Sequence, residues 1–268
     1  MNFDNKIILV TGGGGVGIGN GIAKVLSNSG ATVILNDISD ELATKGAESL
    51  PNAVPYGADL RDKKQVDQMF EHIINEYGRI DGLVNNAGVG NSTPAHKTEE
   101  EKFDFLYSLD VKSVWYLSKL FAQHHIEKGT SGNIVNVSSV NASATLDGFG
   151  LYASAKSAVE GLTRGMSVEL GKHNIRVNAI APGYVHSDQG LDLIATWAPD
   201  ANEWVRQHVD DYQVLNFQIL PEDCGNVVAF LLSELSRSVT GQVIFTDNGL
   251  IRLLYSRDYV NMEKIIRS

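Results

Sequence analysis

The sequence predicts an α/β protein in which one domain is built on a doubly wound parallel sheet and carries a substrate-loop insertion. Short β-branched runs alternate with longer amphipathic segments, and this alternation is typical of βα units joined by right-handed crossovers. A glycine-rich turn follows the first of these runs. No stretch has the composition of a linker or of an internal repeat. We therefore expect one domain over residues 1–250, followed by a C-terminal tail at 251–268.

The predicted strands are short and mostly apolar on both faces, as expected of strands covered by helices on two sides. They lie at residues 6–11, 31–37, 53–57, 81–85, 132–137, 175–180 and 242–246. Apolar residues at helical spacing predict helices at 18–28, 40–49, 63–77, 99–125, 153–171 and 221–233. Asp62 and Gln65 predict a capping box at the start of the 63–77 helix. Residues 187–220 interrupt the alternation, and we expect them to form a lid over the substrate.

The composition argues against several classes of function. Lys and Arg total 22 against 32 Asp and Glu, and the net charge of −10 argues against a nucleic-acid or anionic-membrane surface. A single cysteine, Cys224, excludes an internal disulfide framework and fits a reducing compartment. The N-terminus does not resemble a signal peptide, and no apolar run approaches the ~20 residues of a membrane span. We expect a cytoplasmic protein without a metal site, since the histidines lack ligand spacing.

The glycine-rich run extends from Gly12 to Gly19, between the first strand and the first helix. Glycines allow the backbone to turn tightly and to approach a diphosphate, which the helix N-terminus then binds. We therefore expect Gly12, Gly17, Ile18 and Gly19 to contact a dinucleotide. The alternative is a flexible turn without a ligand, which the flanking strand and helix disfavour.

Asp37 ends the second predicted strand, 20 residues after Gly17. A carboxylate in this position accepts hydrogen bonds from the hydroxyls of an adenosine ribose. A 2′-phosphate there would meet a repulsion of about 1 to 4 kcal/mol per charge pair, and residues 36–42 contain no Arg or Lys to offset it. The sequence therefore favours NAD over NADP. In the alternative interpretation, Asp37 is a helix N-cap for the segment near Asp40.

Tyr152 and Lys156 are four residues apart in a predicted helix, so they share one face of it. A free tyrosine, with a pKa of about 10, is a poor base at neutral pH, and a neighbouring ammonium favours the phenolate. Tyr152 can then exchange a proton with an alcohol or a ketone. Ser139 follows the 132–137 strand and can hydrogen-bond the substrate oxygen. In the alternative, Tyr152 is a packing residue and Lys156 a solvated charge.

Together, several motifs in this order resemble the classical short-chain dehydrogenases/reductases over residues 5–249. The motifs are Thr11-Gly12 to Gly19, Asp59-Leu60, Asn85-Asn86-Ala87-Gly88, Ser139, Tyr152-Ala153-Ser154-Ala155-Lys156, Pro182-Gly183-Tyr184-Val185-His186-Ser187 and Thr240-Gly241. The resemblance implies a Rossmann-like fold and hydride transfer between nicotinamide and a small-molecule alcohol or ketone. It also implies a homo-oligomer, a tetramer or a dimer.

The resemblance further implies roles for individual residues. Lys156 would hold the nicotinamide ribose, while Asp59 and Leu60 would flank the adenine. The remaining cofactor contacts that we expect are Ile38, Asn86, Ala87, Gly88, Tyr152, Pro182, Gly183, Val185 and Ser187. The expected substrate contacts are Ser139, Asn141, Tyr152 and Tyr184.

The sequence departs from the family pattern at two places. Four residues, rather than the usual three, separate Gly12 from Gly17. Asp110 occupies the position of a family Asn that helps to hold a water connecting the lysine to solvent. An ionised Asp accepts hydrogen bonds but cannot donate them, so either the proton relay runs with a carboxylate or activity is compromised.

The leading hypothesis is an NAD-dependent dehydrogenase of a secondary alcohol or its ketone, with Ser139, Tyr152, Lys156 and Asp110 in the catalytic group. A dehydratase or epimerase of the same fold is an alternative, as is a catalytically silent nucleotide-binding protein. An acyl-carrier-protein ketoreductase is disfavoured by Asp37 and by the net charge of −10.

Overall fold

A seven-stranded parallel sheet with strand order β3-β2-β1-β4-β5-β6-β7 forms the centre of the protein. The computed structural model describes residues 1–90 and 92–256, and of residues 188, 189 and 193 it describes only the backbone. The strands are β1 (Ile7–Thr11), β2 (Thr32–Asp37), β3 (Ala53–Gly57), β4 (Gly82–Asn85), β5 (Gly132–Val137), β6 (Ile175–Pro182) and β7 (Val243–Thr246). All the predicted strands are present, and the doubly wound, Rossmann-like α/β fold is confirmed.

The helices cover both faces of this sheet. They are α1 (Ile18–Asn28), α2 (Asp40–Ala47), α3 (Lys63–Tyr77), α4 (Glu100–Tyr107), α5 (Ser113–Lys128), α6 (Gly150–Gly171), α7 (Asp188–Ile194), α8 (Ala201–Tyr212) and α9 (Pro221–Leu232). Alternate strand residues point to opposite faces, so Val10 packs with α1 and α9 whereas Leu9 packs with α3 and α5. Burial on both faces explains why the central strands are mostly apolar.

The segment predicted as one helix over 99–125 is divided in the structure. Between α4 and α5 lies one π-helical stretch, Ser108–Lys112, and Asp110 within it is completely buried. The hydroxyl of Ser113 donates to the carbonyl of Leu109 inside this wider turn. Apolar periodicity does not reveal such a turn, because a π-bulge changes the backbone hydrogen bonds without ending the helical pattern.

Helix α3 begins at the predicted N-cap, but the capping box is not formed as expected. Asp62 accepts from the N–H groups of Lys64 at 2.9 Å and of Gln65 at 3.4 Å. The Gln65 side chain does not return to the Asp62 backbone. Instead it accepts from the Asp59 N–H at 2.9 Å and donates to the Asp62 carboxylate at 3.1 Å.

The predicted lid, residues 187–220, contains α7 and α8. Its far end returns to the sheet edge, where Val185 pairs with Ile219 and the His186 N–H donates to the Ile219 carbonyl at 2.8 Å. The predicted tail at 251–268 lies mostly outside the described residues, which end at residue 256. Among the described helices, none is both long enough and apolar enough to span a membrane.

Candidate active site

The predicted site residues converge on the edge of the sheet where the parallel strands end. Ser138 donates its N–H to the Ile180 carbonyl at 2.8 Å, so the loop after β5 lies beside the end of β6. The Asn86 N–H donates to Oγ1 of Thr11 at 3.0 Å, which joins the loop after β4 to the end of β1. Carboxyl edges of this kind form the ligand crevices of open α/β sheets.

The glycine loop, residues 12–19, turns at Gly12, whose φ of 68° lies in the left-handed region. A Cβ on Gly12 would lie 2.7 Å from the Cα of Ala87, so a side chain would collide with the next loop. A Cβ on Gly19 would lie 2.3 Å from the Gly12 carbonyl and 2.4 Å from Nδ2 of Asn86. The close approach of three backbone segments therefore requires glycine at both positions.

The N-terminus of α1 faces this loop without a side-chain cap. Its N-cap is Gly17, none of the described side chains caps it, and its first turn contains no acidic residue. Free N–H groups at a helix start form an anion site. The Asn86 amide, which donates to the Thr11 and Gly12 carbonyls at 2.9 Å each, fixes the strand end beneath that site.

Asp37 is not the N-cap of α2, because Ser39 occupies that position and accepts from the Leu42 N–H at 3.3 Å. The alternative interpretation of Asp37 is therefore excluded. Its Oδ2 accepts from the Gly14 N–H, and its Oδ1 accepts from the Ile38 N–H, both at 2.8 Å. The Asp37 carboxylate thus lies beside the glycine loop.

Asp59 is held by Arg61, an interaction that the sequence analysis did not identify. Nε and Nη2 of Arg61 reach the Asp59 carboxylate at 2.9 and 2.6 Å, and the guanidinium lies 4.5 Å from the Phe105 ring centroid. The hydrogen bond from Arg61 is the main reason that the pKa of Asp59 lies below its ordinary value. The neighbouring Leu60 is buried in the core.

Lys156 and Asp110 form an ion pair inside the protein. Nζ of Lys156 lies 3.1 Å from Oδ2 of Asp110, and the two side chains are 5% and 0% exposed. Oδ1 of Asp110 accepts from the Val89 N–H at 2.9 Å. A Cβ on Gly88 would lie 2.7 Å from the Asp110 carboxylate and 3.0 Å from the Lys156 ammonium. Glycine at this position therefore allows the chain to pass against the ion pair.

The surroundings of Lys156 favour its charged form. Burial alone would lower its pKa, but the charges of Tyr152 and Asp110 and the hydrogen bond to Asp110 outweigh it, and the pKa is raised. Nζ also donates to the Val137 carbonyl at 3.3 Å, at the end of β5. It lies 5.5 Å from the ring centroid of Tyr152, one helical turn away on α6.

Ser139 is fixed by Asn141, which follows it in a short 3₁₀ turn. The Ser139 hydroxyl oxygen accepts from the Asn141 N–H and from the Asn141 side-chain amide, both at 3.2 Å. A serine oxygen has two acceptor positions and one O–H. With both positions used by Asn141, the hydroxyl of Ser139 has its proton left to donate.

The loop after β6 carries the remaining predicted contacts. Gly183 donates its N–H to Thr246 at 3.1 Å directly after Pro182, and Ser187 accepts from the Gly190 N–H at 3.1 Å at the start of α7. Tyr184 contacts the lid through its ring, which lies 5.5 Å from Trp204 and 5.7 Å from His208. The sequence predicts a pocket position for Tyr184 but not these two partners.

The candidate site therefore contains four groups that are suited to proton exchange. They are a tyrosine, a buried ammonium that is kept charged, a carboxylate paired with it, and a serine hydroxyl left to donate. The described residues contain no cluster of three or more His, Cys, Asp or Glu arranged to hold a metal ion.

The chain is similar to known oxidoreductases over nearly its whole length. A family model described as "Enoyl-(Acyl carrier protein) reductase" matches residues 14–251. The 3-oxoacyl-[acyl-carrier-protein] reductase FabG of Thermotoga maritima is 36% identical over 255 residues, which cover 94% of this chain and 100% of the relative. Carbonyl reductase [NADPH] 2 of Sus scrofa is 35% identical over 251 residues, which cover 94% and 98%.

A solved structure described as a putative short-chain alcohol dehydrogenase from Sinorhizobium meliloti superposes with a TM-score of 0.83. It is 28% identical and covers 94% of this chain and 99% of its own. The strand order, the motifs at the carboxyl edge and these matches lead to one conclusion: the chain belongs to the family of classical short-chain dehydrogenases/reductases.

Proposed function

We propose that this oxidoreductase is an NAD-dependent dehydrogenase that interconverts a secondary alcohol and its ketone, with Tyr152 as general acid and base. The relatives are named as reductases, and one of them carries a nicotinamide cofactor in its name. The observation that carries the proposal is the buried ion pair of Lys156 and Asp110, one helical turn from Tyr152. A charged lysine is costly to bury, and one that lies a helical turn from a tyrosine can stabilise the phenolate of that tyrosine.

The residues at the carboxyl edge fit a nicotinamide dinucleotide. The uncapped N-terminus of α1 suits a diphosphate, and the Asp37 carboxylate suits the diol of an adenosine ribose. When bound, the nicotinamide supplies or accepts the hydride. The other residues that we propose to hold the cofactor are Gly12, Gly17, Ile18, Gly19, Ile38, Asp59, Leu60, Asn86, Ala87, Gly88, Tyr152, Lys156, Pro182, Gly183, Val185 and Ser187.

Proton exchange at the substrate oxygen is the task of Tyr152. In alcohol oxidation the phenolate takes the hydroxyl proton, and in ketone reduction the phenol returns it. The charged Lys156 stabilises the phenolate by proximity, with Nζ 5.5 Å from the ring centroid. Asp110 is a positioning residue, because it keeps that ammonium in place through the 3.1 Å ion pair.

Ser139 complements Tyr152 at the same oxygen. Its O–H, left to donate because Asn141 fills both acceptor positions, can hydrogen-bond the carbonyl oxygen on which negative charge develops during reduction. Asn141 and Tyr184 complete the proposed substrate contacts. In this arrangement the Asn141 side chain also orients Ser139 for its donation.

The cofactor preference rests on Asp37. A 2′-phosphate beside its carboxylate would be repelled, which supports NAD. The Sus scrofa relative carries NADPH in its name, so the preference is a property to be tested on this chain itself. The test is kcat/KM with NADH and with NADPH on one substrate, and an equal or better value with NADPH would overturn the preference.

The 36% identity to the Thermotoga maritima reductase favours a second candidate, reduction of a 3-oxoacyl thioester. The acyl carrier protein that would deliver such a thioester is acidic. The net charge of −10 on this chain therefore gives it little electrostatic attraction for that carrier. A panel of secondary alcohols, ketones and a 3-oxoacyl thioester, followed by the NADH absorbance, distinguishes the two. If only the thioester were turned over, the 3-oxoacyl reductase would replace the alcohol dehydrogenase as the function of the protein. If no compound were turned over, the result would favour a catalytically silent nucleotide-binding protein.

We propose a homo-oligomer in which the tail at 251–268 contacts its own or a neighbouring subunit. Leu254 is 84% exposed, and apolar area in water costs about 25 cal/mol per Å². Truncation after Gly249 followed by light scattering tests the proposal. An unchanged oligomer with an unchanged KM would exclude a role of the tail between subunits.

A further inference from the structure

The first half of the glycine loop, residues 12–19, is hydrogen-bonded to the second βα unit. The Gly13 N–H donates to the Asn36 carbonyl at 3.1 Å. The Asn20 side-chain amide donates to the Gly13 carbonyl at 3.1 Å and to the Gly46 carbonyl at 2.9 Å. Since Gly46 belongs to α2, the first half of the loop is held between the end of β2 and that helix.

The next residue, Gly14, ties the loop to Asp37 directly. Its N–H donates to Oδ2 of Asp37, while the Ile38 N–H donates to Oδ1, each at 2.8 Å. Every carboxylate oxygen accepts two hydrogen bonds, so each one keeps capacity for a ligand hydroxyl. A carboxylate that turned toward solvent would lose one or both of these backbone donors.

Gly14 has no space for a side chain. A Cβ at this position would lie 2.6 Å from the Leu42 carbonyl oxygen and 2.9 Å from Oδ2 of Asp37. From the opposite side, a Cβ on Gly46 would lie 2.7 Å from the Cα of Gly14. Even alanine at position 14 would therefore displace either the Asp37 carboxylate or α2.

We propose that Gly14 is a specificity-determining residue for the dinucleotide, because its amide fixes the Asp37 carboxylate where it receives a ribose diol and opposes a 2′-phosphate. The inference rests on the proposed cofactor site at Asp37. It assigns to the longer loop a role in choosing the cofactor, in addition to binding its diphosphate.

The physical reason is that a fixed charge discriminates better than a mobile one. Asp37 is only partly buried, and a carboxylate free to turn toward solvent would reduce its repulsion of a phosphate, since water and salt screen the two charges. Holding the carboxylate in place prevents this relaxation. It also means that the side chain that binds the diol is ordered before the cofactor arrives, so that binding loses less conformational entropy.

Equilibrium binding of NADH and NADPH to the purified protein tests the proposal without relying on turnover. The variants are Gly14→Ala and deletion of residue 14, and the matched control is Gly161→Ala, where a Cβ meets nothing within 4 Å. We expect wild type and control to prefer NADH. In both loop variants the ratio of the NADPH to the NADH dissociation constant should fall by about tenfold or more, because the 2′-phosphate of NADPH is repelled less and the diol of NADH loses an ordered partner.

Two results distinguish a wrong role for Gly14 from a wrong cofactor preference, on which that role depends. Wild-type protein that binds NADPH as tightly as NADH would overturn the cofactor preference itself. If the wild type prefers NADH and Asp37→Ala abolishes the preference, but the two loop variants retain it, the cofactor proposal stands and the role of Gly14 is overturned.

If the loop variants do not fold, amide hydrogen exchange in the wild type and in Asp37→Ala tests the proposal instead. We expect the Gly14 amide to exchange slowly in the wild type and faster in Asp37→Ala, while the Gly13 amide, bonded to the Asn36 backbone at 3.1 Å, changes less. Equal exchange of the Gly14 amide in the two proteins would overturn the proposal.

Discussion

Asp110 and Lys156 meet inside the protein, with a carboxylate oxygen and the ammonium nitrogen 3.1 Å apart and both side chains 5% exposed or less. The pair connects the π-helical stretch before α5 with the helix that carries Tyr152. Removing one partner from a buried pair leaves an uncompensated charge and typically costs ~3–5 kcal/mol. The expectations for this site follow from that relationship.

The first prediction concerns the charge at position 110. Asp110→Asn removes a charge that raises the pKa of Lys156, so that pKa should fall and the alkaline limb of the pH–rate profile should move to lower pH. Substantial activity should remain, because an amide still accepts from Val89. Asp110→Ala should lose ~10-fold or more of kcat, with the 10²- to 10⁴-fold typical of general acid–base catalysis as the upper range. If Asp110→Ala matched the wild type in kcat and pH profile, the residue would be only structural.

The same ion pair should make stability depend on pH. The pKa of Lys156 is raised in the folded state. Its contribution to the free energy of unfolding is therefore fully present below the ordinary lysine pKa of about 10.4, and it is lost as pH rises through the pKa of the folded state. Melting temperatures of wild type and Asp110→Asn, measured from neutral to alkaline pH, should therefore converge at the alkaline end. Parallel curves would contradict this prediction.

Gly88 provides a test of the ion pair that changes neither of its members. In Gly88→Ala the new Cβ would lie 2.7 Å from the Asp110 carboxylate and 3.0 Å from the Lys156 ammonium. We expect a loss of about 1–3 kcal/mol in the free energy of unfolding and a lower kcat. The control is Gly90→Ala, two residues away, where a Cβ meets nothing within 4 Å. Equal stability and kcat in the two variants would show that the backbone around Gly88 shifts to accommodate a Cβ without disturbing the ion pair.

Tyr152→Phe tests the proton-transfer step. General acid–base catalysis typically supplies 10²- to 10⁴-fold, so at least about 10²-fold of kcat should be lost. Binding of NADH should persist, because the ring and the ion pair beneath it remain. Steady-state kinetics with a fluorescence titration of NADH provides both measurements, and activity within a few-fold of wild type would place the proton transfer elsewhere.

Asp37→Ala tests the cofactor preference. Removing the carboxylate removes its repulsion of a 2′-phosphate, and the ratio of kcat/KM for NADH over NADPH should fall by roughly one to three powers of ten. The exposed Asp40 provides a control in Asp40→Asn, which alters the charge nearby without touching the Gly14 amide. If the ratio fell equally in both variants, the cofactor preference would depend on the total negative charge of this region and not on the Asp37 carboxylate in particular.

Local patterns in the sequence predict most of the fold. The central strands are mostly apolar on both faces because helices cover them, and the Asp62 N-cap marks the start of α3. The positions of Tyr152 and Lys156, four residues apart, determine that they share one face of α6. The order of the motifs also predicts the family, which the comparisons confirm.

Tertiary structure alone decided which groups touch. The sequence placed Asp110 at a family position in the long helix, but the π-helical turn and the approach of Gly88 bring its carboxylate to Lys156. Likewise, Arg61 engages Asp59, and Gly14 engages Asp37 across 23 residues. Helical and strand periods follow from local backbone geometry, whereas the partner of a charged side chain depends on distant segments packing at the sheet edge, which no local pattern encodes.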